Sequence, residues 1–380
     1  MFSLRGSRKR KRNAGICLLL GTVLVAGYLI YLTDHKTINL QDVKSDGGRT
    51  KAPTKNNSIA YSWPKCEKNV SAANSKNFST FTVNYQDFLY YHHCRHFPML
   101  LDNPDKCVGA HGSADVFLLL VIKSSPSNYD RREVLRKTWA EERLVNGKQI
   151  RRVFIIGTMD AAWEGERLNK VLELEQHQYN DILQWDFKDS FYNLTLKQVL
   201  FFEWLERNCP HASFLLNGDD DVFANTNNMV EYLQAHKDSN GNKHLFVGNL
   251  MVYSPLIRDT WSKYFVSVEL NNAEYFPPYC SGAGIIMSVD TALVIYEMSK
   301  SIEIITIDDA YLGMCLAKAG LSPASHMGVQ PHGWYLPSRR IDQYDPCHFK
   351  DKLVVHRFFS TNMFYMWKKL NDPNLNCTKK

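Results

Sequence analysis

The chain has 380 residues, of which 44% are hydrophobic and 22% are charged, a composition typical of a globular protein with a buried core. The formal net charge is +6, but the first thirteen residues contain six basic side chains and no acidic one. The rest of the chain is therefore close to neutral, which excludes the bulk positive charge that nucleic-acid-binding domains carry.

An uncharged segment follows this basic tail at residues 14–32. A helix of that length would rise about 28 Å, close to the thickness of the hydrocarbon core of a bilayer. Because the basic residues precede it, the positive-inside rule predicts a single-pass type II protein with a cytosolic N-terminus and a lumenal remainder. The length of the span favours the early secretory pathway or the Golgi membrane. A nuclear signal at residues 9–12 and a cleaved, secreted form are the alternatives.

These features divide the chain into a cytosolic tail (1–13), a transmembrane signal-anchor (14–32), a polar stem (33–77) and a lumenal domain (78–380). Eight cysteines lie beyond the span, an even number that an oxidising lumen allows to form disulfides. Their wide spacing lacks the C-x-x-C pairs of zinc sites. Asn-x-Ser/Thr triplets predict N-glycosylation at Asn56, Asn69, Asn77, Asn193 and Asn376.

The lumenal domain begins with an aromatic-rich stretch at residues 78–107, whose three neighbouring histidines favour a structural role over a metal site. Strand and helix patterns then alternate. We predict strands at 116–123, 152–157, 182–185 and 213–217, and helices at 130–143, 165–177 and 194–207. This alternation predicts an α/β fold with a mainly parallel sheet between helices. Ligands bind at the carboxyl ends of such strands, so residues 124–128 and 219–221 are expected to share one edge.

Three adjacent carboxylates, Asp219, Asp220 and Asp221, follow the last of these strands. Their mutual repulsion raises the cost of ionising all three, and a hard divalent cation such as Mn²⁺ or Mg²⁺ relieves it. In extended backbone Asp219 and Asp221 point to the same side, so one ion can join them to a nucleotide diphosphate. The alternative is a solvated acidic turn, which the flanking apolar residues disfavour.

A second acidic pair, Asp308 and Asp309, lies at the start of a predicted helix at residues 310–318. A carboxylate in that position is either a plain helix cap or a general base. The loop at residues 275–284 is rich in proline, glycine and aromatic side chains. It is either an ordinary turn or a rigid surface on which sugar rings stack.

Two basic features complete the candidates. His356 lies in a strand-like segment, where a single histidine is more often structural than a ligand. Arg132 and Arg136 are four residues apart on the first predicted helix, where they either form salt bridges along its surface or contact a phosphate.

The order of these motifs resembles the β1,3-glycosyltransferases of glycosyltransferase family 31, and most of all its β1,3-N-acetylglucosaminyltransferase subgroup. Residues 132–139 (R-x-x-L-R-x-T-W) resemble the first motif of the family, and residues 186–197 (DFKDSFYNLTLK) resemble the second. The Asp triplet, the PPYCSGxG loop at 277–284 and the D-D-x-x-x-G segment at 308–313 complete the set. The resemblance covers nearly the whole lumenal part.

This resemblance implies a GT-A-type nucleotide-sugar transferase fold and an inverting mechanism. The donor would be UDP-GlcNAc, and the acceptor would be galactose of N-acetyllactosamine or core 1 O-glycans on glycoproteins. Asp221 would be the main ligand of Mn²⁺ or Mg²⁺, Asp219 would lie near the ion or the ribose, and His356 would complete the site. Asp309 would act as the base, with Asp308 in reserve.

The remaining site residues fall to either side of the reaction centre. The donor side is assigned to Asp220, Arg132 and Arg136, and the acceptor loop to Tyr279, Gly282 and Gly284. The resemblance also suggests the disulfides Cys209–Cys280 and Cys315–Cys347. A β1,3-galactosyltransferase of the same family and a non-catalytic Golgi lectin or chaperone are the alternatives. The sequence does not decide whether the chain forms a homodimer, and no nucleic-acid partner is expected.

Overall fold

The computed structural model describes residues 63–75, 77–159, 162–239, 243–282, 284–331 and 345–377. These residues belong to one compact unit, Tyr61–Lys380. The predicted tail, the signal-anchor, Asn56 and most of the stem lie outside the described residues. Within the described part of the chain, no helix combines the length and the apolar character needed to cross a bilayer.

The described chain alternates helices and strands, as the sequence predicts. The helices are α1 (Val83–Tyr91), α2 (Gly109–Gly112), α3 (Tyr129–Arg136), α4 (Ala162–Tyr179), α5 (Leu194–Asn208), α6 (Thr226–Asp238), α7 (Val289–Ser299), α8 (Asp308–Lys318), α9 (Pro346–Phe349) and α10 (Ser360–Leu370). The strands are β1 (Met99–Leu101), β2 (Val116–Lys123), β3 (Leu144–Val145), β4 (Lys148–Thr158), β5 (Ile182–Lys188), β6 (Phe214–Asp219), β7 (Val222–Ala224), β8 (Phe246–Gly248), β9 (Leu250–Met251), β10 (Tyr279–Cys280), β11 (Ile285–Ser288), β12 (Ala324–Ser325), β13 (Val329–Gln330) and β14 (Val354–His356).

The main sheet is mixed, with the order β1-β5-β4-β2-β6-β11-β8-β12 and β3 paired to β4. Its four central strands, β5, β4, β2 and β6, run parallel to one another. Strands β1, β3 and β11 pair antiparallel to them, and β8 pairs antiparallel to β11. The prediction of a mainly parallel sheet is therefore confirmed for the four central strands, and antiparallel strands are added at the flanks. The described chain also forms two smaller sheets, with the strand orders β10-β9 and β13-β14-β7.

The core lies on both faces of this sheet, and strand β2 shows why its sequence is apolar throughout. All eight of its residues are buried. Leu119 and Val121 join one hydrophobic cluster with side chains of α1, α5, α7 and α8, whereas Leu118, Leu120 and Ile122 join a second cluster with α3, α6 and α10. A strand covered on both faces has no polar side to display, so its only charged residue, Lys123, comes at its carboxyl end.

The first predicted helix ends earlier than its sequence pattern suggests, at Arg136 instead of residue 143. The reason is tertiary. The side chain of Trp139 is fully buried, and its indole N–H donates to the carbonyl of Val222 at 3.0 Å, next to the acidic triplet. This contact draws the chain away from the helix axis.

The structure forms three disulfides, Cys66–Cys94, Cys107–Cys209 and Cys347–Cys377. Cys280 and Cys315 are buried free thiols. The pairings suggested by the resemblance, Cys209–Cys280 and Cys315–Cys347, are therefore wrong. The partner of Cys209 is 102 residues away in sequence, a separation that spacing alone does not reveal.

Candidate active site

The acidic triplet lies where two parallel strands of the sheet end side by side. Strands β2 and β6 are in register, so that Lys123 is opposite Asp219. A cavity of about 720 Å³ opens at this edge, and both the loop after β2 and the triplet after β6 line it. The predicted juxtaposition of residues 124–128 and 219–221 is confirmed.

A short second sheet brings the C-terminal histidine to the triplet. The chain turns at Asp220 and continues as β7, which pairs antiparallel with β14 so that Val222 is opposite His356. The Nε2 atom of His356 lies 3.2 Å from Asp221 Oδ1 and 4.0 Å from Asp219 Oδ2. Its Nδ1 atom is 3.2 Å from the carbonyl oxygen of Pro331, a contact that fixes the orientation of the ring.

The ligand atoms of Asp219, Asp221 and His356 all lie within 4.8 Å of one another. A cation at about 2.1 Å from each ligand joins atoms up to about 4.2 Å apart, and the 3.2 Å and 4.0 Å contacts of His356 lie within that reach. Two carboxylates with one imidazole suit Mn²⁺, and Mg²⁺ accepts the same oxygens, while the open cavity leaves room for phosphate oxygens. The three residues that the resemblance assigns to a metal therefore form a compatible donor set.

The protonation of this group reflects the direct contact between its members. Burial would raise the pKa of Asp221, but the hydrogen bond from His356 together with the charges of His356 and Arg131 lowers the pKa below its ordinary value. Burial alone would lower the pKa of His356, and the same bond to Asp221 raises it. His356 and Asp221 therefore bind each other directly, through side-chain atoms that could also bind a cation.

Asp220 points away from this group. Its carboxylate accepts hydrogen bonds from Ser124 Oγ at 2.7 Å, Asn128 Nδ2 at 2.8 Å and Arg131 Nη1 at 2.7 Å. Asp220 lines the cavity but is almost fully buried. Its bonds tie the loop after β2 to the triplet, so its contribution to the donor side is to position that loop.

Lys123 links the triplet to the second acidic pair. Its ammonium group lies 3.1 Å from Asp219 Oδ1 and 2.7 Å from Asp308 Oδ2, and its side chain is 6% exposed. Burial would lower the pKa of Lys123, but the two carboxylates raise it above its ordinary value. The sequence contains a signal for this residue, since a lysine ending an otherwise apolar strand indicates a buried partner.

Asp309 has a different environment from Asp308. Its Oδ2 atom accepts a hydrogen bond from the backbone N–H of Gly282 at 2.9 Å, and its Oδ1 atom accepts one from Ala310 N–H at 2.8 Å. Burial and the neighbouring Asp308 charge raise the pKa of Asp309 to about 7. A carboxylate that titrates near neutrality is suited to take a proton from a hydroxyl group.

The proline-glycine loop contributes one of its three predicted residues to the cavity. Gly282 lines it and holds Asp309, whereas Tyr279 and Gly284 are not among the lining residues. Gly284 has a φ of +129°, and a Cβ there would lie 2.6 Å from Cγ1 of Val354. Tyr279 packs against Gly313, where a Cβ would lie 2.5 Å from the Tyr279 Cβ. Both residues are needed for packing, and the acceptor role predicted for them is not supported.

Arg132 and Arg136 do not reach the cavity. The side chain of Arg132 is completely buried and pairs with Glu175 at 2.6 Å. Its Nη1 atom also donates to the carbonyl of Ser125 at 2.6 Å. Arg136 pairs with Asp181 at 2.9 Å and with Glu175 at 2.8 Å. The predicted donor contact is therefore wrong for both, and the alternative of salt bridges is the one observed. Arg132 supports the loop after β2 from within, whereas Arg136 joins α3 to α4 and to the start of β5. The partly exposed neighbour Arg131 lines the cavity in their place.

The second motif, at residues 186–197, also supports this loop. Lys197 is buried, donates to the carbonyl of Ser124 at 2.8 Å and contacts both carboxylate oxygens of Asp189 at 2.9 Å. Asp189 in turn accepts from the backbone N–H of Gly157 at 2.8 Å. Sequence reasoning identified this motif only by resemblance, because its contacts join residues on three different strand ends.

Asn193 lies in the same motif and is 3% exposed. Its side-chain amide donates to Asp87 Oδ2 at 3.0 Å and to the carbonyl of Lys188 at 2.9 Å. A glycan would replace one of these hydrogens and would have to enter the core, so the predicted glycosylation of Asn193 does not fit the structure. Asn77 and Asn376 are exposed and Asn69 is half-buried, which leaves those predictions standing.

A further group of cavity-lining residues was given no individual role by the sequence analysis. Lys263 lies with its ammonium 4.8 Å above the rings of both Phe191 and Tyr264, and all three line the cavity. Asn249, Ser281 and Arg357 line it as well. Phe191 and Ser281 lie in motifs that the sequence analysis identified, but only the folded chain shows that their side chains line the cavity.

The fold and the site together define a class of protein. A mixed sheet whose parallel strands end on an acidic, metal-compatible cluster, opposite a buried carboxylate that titrates near neutrality, fits a GT-A-like transferase. Residues 130–327 match the family model described as Galactosyltransferase, and the chain belongs to this family. The resemblance to glycosyltransferase family 31 is confirmed.

Three relatives within this family show which of its members the chain is similar to. Human N-acetyllactosaminide beta-1,3-N-acetylglucosaminyltransferase 3 is 45% identical over 378 residues, which cover 97% of each chain. Human acetylgalactosaminyl-O-glycosyl-glycoprotein beta-1,3-N-acetylglucosaminyltransferase is 46% identical over 318 residues, covering 83% of this chain and 81% of the relative. Rat UDP-GlcNAc:betaGal beta-1,3-N-acetylglucosaminyltransferase 7 is 37% identical over 83% of this chain and 78% of its own.

Proposed function

We propose that the protein is an inverting glycosyltransferase that moves GlcNAc from UDP-GlcNAc, in β1,3 linkage, onto galactose of N-acetyllactosamine or core 1 O-glycans. The observation that carries the proposal is the pairing, across one cavity, of the Asp219–Asp221–His356 cluster with Asp309. The names of the relatives support the donor and the linkage, since each is a beta-1,3-N-acetylglucosaminyltransferase.

The donor side is the edge formed by the loop after β2 and the triplet. Asp219, Asp221 and His356 would hold Mn²⁺ or Mg²⁺ there, and the bound ion would neutralise the charge that develops on the leaving UDP. Arg131 adds a partly exposed guanidinium to the same wall. The hydrogen bonds of Asp220 keep this wall in place when the donor is absent.

The acceptor side is the edge formed by Gly282 and the start of α8. The Asp309 carboxylate accepts the proton of the galactose 3-hydroxyl while that oxygen forms a bond to the anomeric carbon of GlcNAc. The bond from that carbon to UDP breaks with its electron pair on the UDP oxygen. Attack from the opposite face converts an α-linked donor into a β-linked product, and one catalytic carboxylate suffices, unlike in glycoside hydrolases.

Lys123 sets the charge of the site. It lies between Asp219 on the donor side and Asp308 on the acceptor side. By pairing with Asp308 it leaves Asp309 as the carboxylate available for the hydroxyl. Asp308 is therefore assigned to position Lys123, and the reserve role as base is not needed.

A β1,3-galactosyltransferase is the second candidate, because the matching family model carries the description Galactosyltransferase. The two activities use the same residues at the metal and at Asp309 and differ only in the donor sugar. We favour GlcNAc because relatives named for GlcNAc transfer match from 83% to 97% of the chain.

The sequence of the N-terminal region completes the proposal. With residues 14–32 as a signal-anchor behind a basic tail, the enzyme would be a single-pass type II protein of the Golgi membrane. Its domain at residues 78–380 would then face the lumen, where acceptor glycoproteins and UDP-sugars meet.

The test uses the full-length chain, purified in detergent, with Mn²⁺, a β-galactoside acceptor and either UDP-GlcNAc or UDP-galactose. Product mass is measured. We expect a gain of one N-acetylhexosamine that is lost on adding a chelator and in the Asp309→Asn variant. A gain of hexose would select the galactosyltransferase. No product with either donor, from folded protein, would overturn the proposal for these acceptors.

A further inference from the structure

One segment concentrates the exposed apolar side chains of the described chain. Of the eighteen large hydrophobic side chains that are exposed, seven lie within residues 252–275, which we call the aromatic excursion. They are Val252, Tyr253, Ile257, Trp261, Tyr264, Val268 and Tyr275. Trp261 is 94% exposed and Tyr253 is 84% exposed. Scattered exposed apolar residues are normal, but a cluster of this kind marks an interaction site.

The excursion is an ordered structure, so its exposure is not a consequence of loose backbone. Leu256 N–H donates to the Glu274 carbonyl at 3.1 Å, and Phe276 N–H donates to the Ser254 carbonyl at 2.9 Å. The guanidinium of Arg258 donates to the carbonyls of Val266 at 2.8 Å and Ala273 at 2.7 Å.

The two arms of the excursion bury one side and display the other. Pro255 is opposite Tyr275 in an antiparallel bridge. Because side chains alternate along extended backbone, Leu256 and Phe276 point inward and are buried, while Pro255 and Tyr275 point outward and are exposed.

Tyr253 has a positive φ of 53°, a conformation that costs free energy in an aromatic residue and is maintained only where the surroundings impose it. The surroundings therefore impose the backbone conformation from which the Tyr253 side chain extends into solvent.

The excursion is continuous with the cavity on its acceptor side. It leaves from β9 and returns on β10, and these two strands pair with each other. β10 leads directly to Gly282, whose N–H holds Asp309. Met251 and Lys263 line the cavity, and Tyr253 and Trp261 are each two residues from one of them. Two residues of chain span at most about 7 Å, so the exposed rings begin where the cavity ends.

We propose that the aromatic excursion binds the sugar residues of the acceptor chain that lie beyond the reacting galactose, an inference that rests on the proposed function. The cavity volume of about 720 Å³ is within the range that buries one drug-sized ligand, so the donor and the reacting sugar fill it. Longer acceptors must leave across its rim.

Pyranose rings suit this surface because they present an apolar C–H face, which packs on aromatic rings, and hydroxyl groups, which bond to Tyr O–H and Trp N–H. A lipid surface is a poorer occupant, since membrane-binding segments are rich in basic residues. The excursion contains two basic residues, Arg258 and Lys263, against three acidic ones, Asp259, Glu269 and Glu274. Of its two cations, Arg258 is committed to backbone carbonyls and Lys263 to aromatic rings.

The test compares two acceptors of the same repeat, the disaccharide Galβ1-4GlcNAc and the hexasaccharide made of three such units. The full-length chain, a Tyr253→Ala/Trp261→Ala double variant and a Trp163→Ala control are assayed. Trp163 is also a highly exposed tryptophan but lies on α4, outside the excursion. For the double variant we expect KM for the hexasaccharide to rise about tenfold more than KM for the disaccharide, with little change in kcat. The control variant should follow the wild type.

An equal rise for both acceptors, or no rise, would overturn the proposal. Direct binding of the hexasaccharide, measured by calorimetry, keeps it testable without turnover. If the double variant binds the hexasaccharide more weakly but the wild-type chain transfers no sugar, the proposed function would be refuted and the surface assignment would stand. Unaltered binding would refute the assignment itself. A variant that changes only the oligomeric state, or only the use of glycopeptide acceptors, would assign the surface to a second copy or to the acceptor polypeptide instead.

Discussion

Asp308 and Asp309 are neighbours in sequence, but their carboxylates contact different groups. The carboxylate of Asp308 is paired with the Lys123 ammonium, whereas that of Asp309 accepts two backbone N–H bonds and faces the cavity. Burial and the adjacent Asp308 charge raise the pKa of Asp309 to about 7, a range suited to a general base. In the proposed mechanism these adjacent side chains therefore divide two tasks, positioning for Asp308 and proton transfer for Asp309.

The first prediction concerns the base itself. Asp309→Asn keeps the size of the side chain and one oxygen for the Gly282 N–H, but it cannot accept a proton. We expect kcat to fall on the order of 10²-fold or more. Metal-dependent binding of UDP should stay close to wild type, as measured by calorimetric titration. A loss of UDP affinity with intact folding would instead place Asp309 in the metal site.

The second prediction follows from the sign of the pKa shift. Asp309 titrates near 3.8 in its ordinary state and at about 7 when folded. A raised pKa stabilises the fold at low pH, and this stability is lost as the pH rises from about 4 through about 7. Asp309→Asn does not titrate. Its stability relative to wild type should therefore increase across that range, on the order of 1 kcal/mol or more at pH 8.

The measurement is the free energy of unfolding from denaturant titrations at pH 5 and pH 8. If the difference in the free energy of unfolding between Asp309→Asn and wild type is the same at both pH values, the raised pKa of Asp309 would be contradicted. The same carboxylate must be ionised to act, so kcat/KM of the wild type should rise with pH up to about 7.

The third prediction concerns Lys123, which neutralises two acids at once. Lys123→Met retains most of the side-chain volume but leaves Asp219 and Asp308 buried without their cation. Breaking such a pair costs about 3–5 kcal/mol. We expect a large fall in the melting temperature at pH 7.5 and a smaller fall at pH 5, because burial raises the pKa of Asp219 and protonation removes its unpaired charge at low pH. An equal fall at both values would mean that Lys123 stabilises by packing alone.

At the scale of elements, one glycine determines how closely helix α8 packs on the loop whose Gly282 N–H holds Asp309. The first residues of α8 supply Asp308 and Asp309, and its next turn crosses strand β10 at Gly313. A Cβ at Gly313 would lie 2.5 Å from the Tyr279 Cβ and 2.9 Å from the Pro278 carbonyl oxygen. The close approach that only glycine permits keeps Asp309 within reach of Gly282.

The fourth prediction is that Gly313→Ala reduces both stability and transfer. On helix propensity alone, the change from glycine to alanine would stabilise α8 by about 1 kcal/mol. Because the new methyl group has backbone against it, we expect destabilisation instead, with kcat lowered at least tenfold. Circular dichroism melting and initial rates check both. A variant that is more stable and fully active would show that α8 and β10 have freedom to move apart.

Element boundaries show where sequence patterns suffice. The strand at residues 116–123 was predicted with its observed bounds, because a long run buried on both faces has an unmistakable apolar pattern. The helix predicted at 130–143 was too long, because the Trp139 contact that ends it depends on a distant strand. Arg132 and Arg136 looked like an exposed pair, and only the folded core reveals their partners on α4 and before β5.

At the scale of the whole molecule, the sequence predicts the inner half of the sheet and misses the outer half. The four central strands are long enough for their burial to be visible in the sequence. The flanking strands β8 to β14 have two to four residues each, too short for any periodicity. Several residues that line the cavity come from the short strands and the loops between them, so their place in the site follows only from the complete fold.

The juxtaposition of the three predicted metal-binding residues is observed at this scale, while their binding of a metal stays a prediction. Asp219, Asp221 and His356 are far apart in the chain, and the pairing of β7 with β14 brings them together as the resemblance implies. The disulfides are the contrary case, because cysteine pairing depends on the complete fold. The signal-anchor, the stem and the Golgi location remain predictions from residues 1–77.

The most direct test of the account is the configuration of the bond that the enzyme forms. The wild-type chain is incubated with UDP-GlcNAc and a β-galactoside, and the anomeric coupling constant and linkage of the product are read by proton NMR. A single base, Asp309, requires inversion, so the account predicts a β-linked GlcNAc on the 3-hydroxyl of galactose. An α-linked product would contradict it, because retention needs a mechanism that this site does not provide.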